Sequence, residues 1–175
     1  MKKLLEHQQI LVRIDQLASQ IDSDFEGRRL IVVPVLWGAC TFSMELFNRL
    51  KTTVTILPIW ATSYSGTSQG NLSIKHDWDL SQIDPAACSA LIVDDILDSG
   101  KTINGVVSLL KGSGFHDTRT CFLLDKEKSS RCPNYTGFVI PDKFVVGFGL
   151  DMGGRYRGLP DICIIEECKG QDERS

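Results

Sequence analysis

The sequence predicts an α/β fold in which a mainly parallel central sheet is flanked by helices. Residues 30–35 and 90–93 are short runs that are apolar throughout, a pattern typical of strands buried on both faces. Segments with helical spacing of apolar residues, such as residues 102–111, stand between the strands. Because strands that alternate with helices build parallel sheets, this order favours the class. The 175 residues are enough for one domain with its own core.

The first part of the chain predicts two helices and two strands, followed by a long loop. Residues 8–21 carry apolar side chains three and four positions apart, which indicates an amphipathic helix. Residues 30–35 form the first strand, residues 41–50 a helix and residues 54–60 a second strand. Residues 61–79 are rich in glycine and small polar residues. Since loops of this length in a compact domain are typically lids, we expect a mobile active-site lid there.

The second part of the chain predicts one more helix and the remaining strands. In chain order these are a strand at 90–93, a helix at 102–111, and strands at 118–124, 138–140, 144–150 and 162–165. We find no internal repeat and no second core. We therefore expect a single domain over residues 1–168 and a disordered tail at residues 169–175.

Charge and cysteine content limit the classes of function. The net charge is −3 and the pI about 5.6, whereas proteins that bind nucleic acid or membrane surfaces need clustered positive charge, so we expect neither partner. No apolar run approaches the roughly 20 residues of a membrane span. The six cysteines form no C-x-x-C pair and only three histidines are present, so we expect no zinc site. Cysteines in apolar segments suit a reducing environment, and we expect a cytoplasmic protein.

Residues 91–103 carry the most informative pattern, a buried strand that runs into Asp94 and Asp95 and then through a short turn into a helix. Ligands of open α/β sheets bind beyond the carboxyl ends of the strands, where these polar residues fall. Gly100 allows close backbone approach, and the start of the helix offers free N–H groups to a phosphate. The acidic pair suits ribose hydroxyls or a hydrated Mg²⁺. The alternative is that these acids only cap the helix.

Three other motifs fail on single positions. A P-loop would need glycine where Asp95 stands. A dinucleotide fingerprint that begins at Gly147 would need glycine in place of Met152. The acidic pocket of phospho-receiver domains belongs on a first strand, whereas at least two predicted strands precede Asp94.

Residues 91–103 resemble the signature of type I phosphoribosyltransferases that binds phosphoribosyl pyrophosphate (PRPP). Residues 140–151 and 156–166 resemble the purine-binding region of hypoxanthine-guanine phosphoribosyltransferases, and residues 35–39 fall at the first active-site loop of that family. The resemblance implies the type I phosphoribosyltransferase fold, with a small hood formed from terminal segments. It also implies purine salvage, in which PRPP donates its phosphoribosyl group to a 6-oxopurine.

The resemblance assigns expected roles residue by residue. Asp98 is the catalytic residue that handles the proton on purine N7. The residues expected to bind PRPP are Trp37, Gly38, Asp94, Asp95, Asp98, Ser99, Gly100, Lys101, Thr102 and Arg157. Those expected at the purine are Lys126, Phe144, Val145 and Asp151, and the acids expected at Mg²⁺ are Asp94, Asp95 and Asp151. Ser63 and Tyr64 begin the lid. The bond equivalent to Trp37–Gly38 is often cis in the family, and the sequence leaves open whether it is cis here.

Some positions depart from the family pattern, and some alternatives stay open. Asp94 replaces a common glutamate, Trp37 replaces a small or basic residue, and residues 152–154 replace a more polar run. Arg155 competes with Arg157 for the pyrophosphate role. The family implies a homo-oligomer, a dimer or tetramer. Two rival functions stay open. One is a non-catalytic regulator that senses PRPP, against which Asp98 argues. The other is a transferase for another base, against which Lys126 argues.

Overall fold

A seven-stranded sheet forms the centre of the computed structural model, which describes residues 1–63, 72–127 and 132–165. The strands are β1 (Lys2–Leu5), β2 (Leu30–Leu36), β3 (Val54–Ile56), β4 (Ile59–Ser63), β5 (Leu72–Lys75), β6 (Ser89–Leu97), β7 (Asp117–Lys126), β8 (Tyr135–Ile140), β9 (Val145–Val146) and β10 (Ile162–Ile164). The helices are α1 (His7–Asp24), α2 (Cys40–Phe47) and α3 (Lys101–Gly112), with a short 3₁₀ turn at Pro85–Ala87.

The order of the large sheet is β5-β4-β2-β6-β7-β8, and β3 pairs with the first half of β2. All neighbouring strands are parallel except β4 and β5. The predicted α/β class with a mainly parallel sheet is therefore confirmed. The carboxyl ends of β2, β6 and β7 come to lie side by side, which is where the sequence places its polar residues.

Apolar layers cover both faces of the central strands, as the continuous apolar runs predict. Val32 and Val93 face the core that contains α1 and α2, while Val33 and Ile92 face the core that contains α3. All four side chains are fully buried. Because successive residues of a strand point to opposite faces, only a strand covered on both sides is apolar at every position. No helix within the described part of the chain has the length and apolarity to cross a membrane.

The hood is a second sheet in the order β1-β10-β9. Its outer strand, β1, is not predicted by the sequence, because its four residues alternate neither in charge nor in hydrophobicity. Lys2 and Lys3 instead pair with Ile164 and Cys163, which lie at the other end of the chain. Asp161 ties the hood to α1, since its carboxylate lies 2.8 Å from Lys3 Nζ and accepts the His7 backbone N–H at 2.8 Å.

Three predicted elements differ from the structure. The strand predicted at 54–60 is two strands, which pair with successive halves of β2 and are separated at Leu57 and Pro58. The loop predicted at 61–79 contains the end of β4 and all of β5, which form an antiparallel pair. The strand predicted at 144–150 covers only Val145–Val146, because the chain then turns through Gly147 and Gly149, both with positive φ. Tyr64 and residues 169–175 lie outside the described residues.

Candidate active site

A cavity of about 360 Å³ lies beyond the carboxyl ends of β2 and β6, between these strands and the start of α3. Its wall brings together every residue predicted to bind PRPP, namely Trp37, Gly38, Asp94, Asp95, Asp98, Ser99, Gly100, Lys101, Thr102 and Arg157. Asp151 lines it as well. Residues far apart in sequence therefore meet at the edge of the sheet where open α/β folds bind ligands.

The turn between β6 and α3 forms one end of this cavity. Gly100 is buried, caps the helix and has φ +76°, a conformation that glycine adopts without steric cost. The first backbone N–H groups of a helix have no partner within it, and here they belong to residues that line the cavity. An anion fits at such a helix start, which carries the positive end of the helix dipole.

The acidic pair lies at the centre of the wall and is almost completely buried, with Asp94 exposed by 7% and Asp95 by 9%. The Asp94 carboxylate accepts the Asp95 backbone N–H at 2.9 Å, and the Asp95 carboxylate accepts that of Ile96 at 2.8 Å. Burial and the adjacent Asp95 charge raise the pKa of Asp94 well above its ordinary value. Burial also raises the pKa of Asp95, opposed by hydrogen bonds from Asp94 and Ile96 and by the charge of Arg157.

The loop after β2 packs directly on Asp95. A Cβ atom added to Gly38 would lie 1.9 Å from Asp95 Oδ2, so only glycine leaves room for the carboxylate. A Cβ on Gly149 would in turn lie 2.5 Å from the Gly38 carbonyl oxygen. The cis peptide bond of this loop joins Leu36 and Trp37, one bond before the Trp37–Gly38 bond that the family resemblance singles out. The Trp37 side chain projects at the mouth of the cavity and is 64% exposed.

Arg157 lines the cavity from the turn that follows β9. One guanidinium nitrogen donates to the Gly149 carbonyl oxygen at 2.6 Å, and another lies 2.6 Å from Asp151 Oδ1. Asp151 Oδ2 accepts the Gly154 backbone N–H at 2.6 Å. Of the two arginines considered from sequence, Arg157 lines the cavity, whereas Arg155 makes a backbone bridge with Met152.

A second cavity of about 240 Å³ adjoins the first and shares Asp95, Ile96, Asp98 and Asp151 with it. All four residues predicted at the purine line this second cavity, namely Lys126, Phe144, Val145 and Asp151. Phe144 is 53% exposed, and a planar aromatic ligand stacked on it would cover this apolar surface. Lys126 Nζ lies 2.8 Å from Asp98 Oδ2, at the junction of the two cavities.

The family profile described as phosphoribosyl transferase domain matches residues 1–152 of this chain. The chain belongs to the phosphoribosyltransferase family. It is similar to the hypoxanthine-guanine phosphoribosyltransferase of Streptococcus pneumoniae, with 33% identity over 95% of this chain and 93% of that protein. The bifunctional protein TilS/HprT of Listeria innocua is 35% identical over 94% of this chain, and the chain spans 26% of its length.

Solved phosphoribosyltransferases have the same fold. The crystal structure of a hypoxanthine-guanine phosphoribosyltransferase from Bacillus anthracis matches with a TM-score of 0.83 at 33% identity, covering 94% of this chain and 96% of that one. The hypoxanthine phosphoribosyltransferase of Trypanosoma cruzi, solved in complex with its product IMP, matches with a TM-score of 0.83 at 29% identity, covering 95% of each. The predicted resemblance and the predicted fold are both confirmed.

The acidic pair of this phosphoribosyltransferase fits a magnesium ion together with substrate oxygens. Within the described residues, no three His, Cys, Asp or Glu side chains could hold a metal by themselves. Mg²⁺ is usually held by one or two carboxylates, by waters and by phosphate oxygens. Asp94 and Asp95 would supply the carboxylates, and water and substrate would supply the other ligands. Both carboxylates are buried and have raised pKa values, and a bound cation would reduce the repulsion between their charges. Each Asp151 oxygen already has one partner, Arg157 or the Gly154 N–H, and keeps a second lone pair with which it could join them.

Two residues at or next to the base cavity were not predicted from sequence. Asp142 Oδ1 lies 3.2 Å from Lys126 Nζ, and Lys143 lines the cavity beside Phe144. Both lie in the turn between β8 and β9, next to residues that were predicted. The sequence therefore indicated that this turn lies near the base, but it did not indicate which of its side chains contact Lys126. Of the predicted lid residues, Ser63 ends β4 and Tyr64 lies outside the described residues, so their roles remain predictions.

We expect Asp94→Asn to stabilise the free phosphoribosyltransferase at neutral pH by about 0.5–2 kcal/mol, because it removes one of two buried like charges. An acid whose pKa is raised by folding loses its proton first in the unfolded chain. Stability therefore falls as pH rises from the ordinary pKa of 3.8 towards the raised folded value, and then levels off. Thermal unfolding in chelator from pH 4 to 8 measures both effects. A variant that is less stable than the wild type across this range would contradict the prediction.

Proposed function

We propose that this chain is a purine-salvage enzyme that transfers the 5-phosphoribosyl group of PRPP to a 6-oxopurine. The base is hypoxanthine, guanine or both, with xanthine as a further candidate, and the products are the nucleoside 5′-monophosphate and pyrophosphate. The observation that carries the proposal is the pair of adjoining cavities that meet at Asp98. One has a phosphate-type turn and an acidic pair, and the other has an exposed aromatic ring and a lysine.

The larger cavity is proposed to hold PRPP. The 5′-phosphate binds the backbone N–H groups and hydroxyls of the turn from Ser99 to Thr102, at the start of α3. The ribose hydroxyls lie against Asp94 and Asp95. Pyrophosphate lies towards Gly38 and Arg157, which supports it through charge-assisted hydrogen bonds once the arginine turns from Asp151. When bound between substrate and acids, Mg²⁺ would neutralise charge on the leaving pyrophosphate.

The smaller cavity is proposed to hold the purine. Phe144 stacks on the ring, and Val145, buried in β9, presents its backbone to the edge of the base. The Lys126 ammonium donates to the 6-oxo oxygen, which distinguishes a 6-oxopurine from a 6-aminopurine because an ammonium has no acceptor for an amino group. Asp98 accepts the proton on N7 as N9 attacks ribose C1. Positive charge builds on the sugar as pyrophosphate departs, as in glycoside chemistry.

A spectrophotometric assay of the purified chain with Mg²⁺ and PRPP tests the proposal. Hypoxanthine, guanine or both should give the corresponding monophosphate and one equivalent of pyrophosphate. Adenine, uracil and orotate serve as matched substrates that lack the 6-oxopurine pattern, and we expect no turnover with them. A chain that binds PRPP but turns over none of the 6-oxopurines would contradict the proposal.

The remaining parts of the proposal concern the whole protein. We propose a cytoplasmic homo-oligomer, which sedimentation at several concentrations would test.

We also propose that residues 61–79 act as a lid. Ala61 of β4 lines the PRPP cavity, and β5 packs on α3, where Leu72 lies against Gly105. Bound Mg²⁺-PRPP with a purine analogue should protect this stretch from limited proteolysis, and unchanged cleavage there would count against a lid.

A further inference from the structure

Lys126 lies between two carboxylates from different parts of the chain. Its Nζ is 2.8 Å from Asp98 Oδ2 and 3.2 Å from Asp142 Oδ1. The lysine side chain is only 13% exposed, whereas the Asp98 and Asp142 side chains are exposed by 46% and 45%. The ammonium group is thus largely buried and contacts two acids that are themselves half-exposed to solvent.

The two acids stand differently towards the reaction. Asp98 lies in the turn before α3 and lines both cavities, whereas Asp142 lines neither of them. Under the proposed function, Asp98 must turn to the N7 proton when the purine binds. Lys126 then shares its first partner with the substrate, and a long flexible side chain with one fewer anchor loses positional order.

We propose that Asp142 is a positioning residue that holds the Lys126 ammonium at the 6-oxo edge of the purine while Asp98 is engaged with N7. This inference rests on the proposed function and deepens it. Lys126 recognises the base, and Asp142 keeps Lys126 in place without touching the substrate.

The fold gives Asp142 a fixed place beside Lys126. Lys126, the last residue of β7, is in register with Ile140, the last residue of β8. The backbone N–H of Glu127 donates to the Ile140 carbonyl oxygen at 3.0 Å, which keeps the two strand ends together. The chain then makes a tight turn in which the Lys143 N–H donates to the Pro141 carbonyl oxygen at 2.7 Å. Asp142 sits inside this turn, immediately before the residues that surround the base.

Charge distribution supports the same assignment. A lysine that faced only Asp98 would be drawn towards the phosphate turn and away from the base. The second carboxylate, which comes from a different turn, offsets part of that attraction and leaves the third ammonium hydrogen for a ligand. Removal of Asp142 should therefore loosen the hold on the base and leave the PRPP cavity intact.

The test compares Asp142→Asn with Asp142→Glu and with Glu127→Gln. Glu127 is exposed, adjoins Lys126 in sequence, and forms no ion pair with any residue that the structure describes, so its variant is a charge-matched control. We expect Asp142→Asn to raise KM for hypoxanthine about 10-fold, since hydrogen bonds to a charged group typically contribute this much. KM for PRPP and Tm should stay at wild-type values. Asp142→Glu should recover most of the loss, and Glu127→Gln should behave as the wild type.

The outcomes separate this inference from the proposed function. A wild-type chain without activity on any 6-oxopurine contradicts the function itself. An active wild type whose Asp142→Asn variant matches Glu127→Gln in KM for hypoxanthine overturns the inference alone. A variant in which KM for PRPP rises as much as KM for hypoxanthine, or in which Asp142→Glu recovers nothing while Tm falls, shows a structural role and also overturns it.

Discussion

Replacement of Asp98 by asparagine is expected to lower kcat for hypoxanthine by a factor of about 100 to 10,000, the range that general acid–base catalysis contributes. Asparagine has nearly the same shape and can still accept a hydrogen bond, but it cannot take a proton. Asp98 is half-exposed where the two cavities meet, so the change introduces no buried cavity. KM for PRPP should therefore change little, and the loss should appear in the chemical step.

Single-turnover kinetics with saturating PRPP would measure that step directly. Glu26→Gln is a suitable control, because Glu26 is exposed and lies before the amino end of β2, away from the site. A variant that keeps more than half of the wild-type kcat would remove Asp98 from proton transfer. It would leave the substrate class untouched, since the phosphate turn and the base cavity do not depend on that proton.

The fold could be predicted from sequence where the signal is local. The strand β2 and residues 90–93 of β6 are apolar at every position, and the helices carry their apolar residues at helical spacing, so burial can be read from neighbouring residues. The strand β1 could not be predicted, because Lys2 and Lys3 become a strand only by pairing with residues of β10. The division of residues 54–60 into β3 and β4 likewise depends on the register with β2.

The same distinction applies to the site. Asp94, Asp95 and the turn from Ser99 to Thr102 are contiguous, and a strand followed by a helix places them in one cavity. The contact of Lys126 with Asp142 depends on the parallel register of β7 and β8, which short segments of sequence do not encode. The cis bond precedes Trp37, and no short pattern of residues marks that position.

Replacement of Gly38 by alanine is the substitution from which we expect the largest loss of PRPP binding. The new Cβ would lie 1.9 Å from Asp95 Oδ2 and 2.7 Å from Asp95 Cγ, far inside contact distance. A long side chain at the surface could swing away, but Asp95 is short, almost completely buried and hydrogen-bonded to the Ile96 N–H. The loop cannot retreat either, because the Gly38 carbonyl oxygen is already packed against Gly149.

Relief of this overlap has to move the acid or the loop by a large part of an ångström, and displacements of about 1 Å in active sites cost about 100-fold in rate. We therefore expect kcat/KM for PRPP to fall about 100-fold, with a loss of about 1–3 kcal/mol in stability from overpacking. Gly112→Ala provides the control, because nothing lies within 4 Å of its added Cβ. Titration calorimetry with Mg²⁺-PRPP separates binding from chemistry. If PRPP bound to the alanine variant as tightly as to the wild type, the Asp95 carboxylate and the Gly38 loop would not form the wall of the PRPP site.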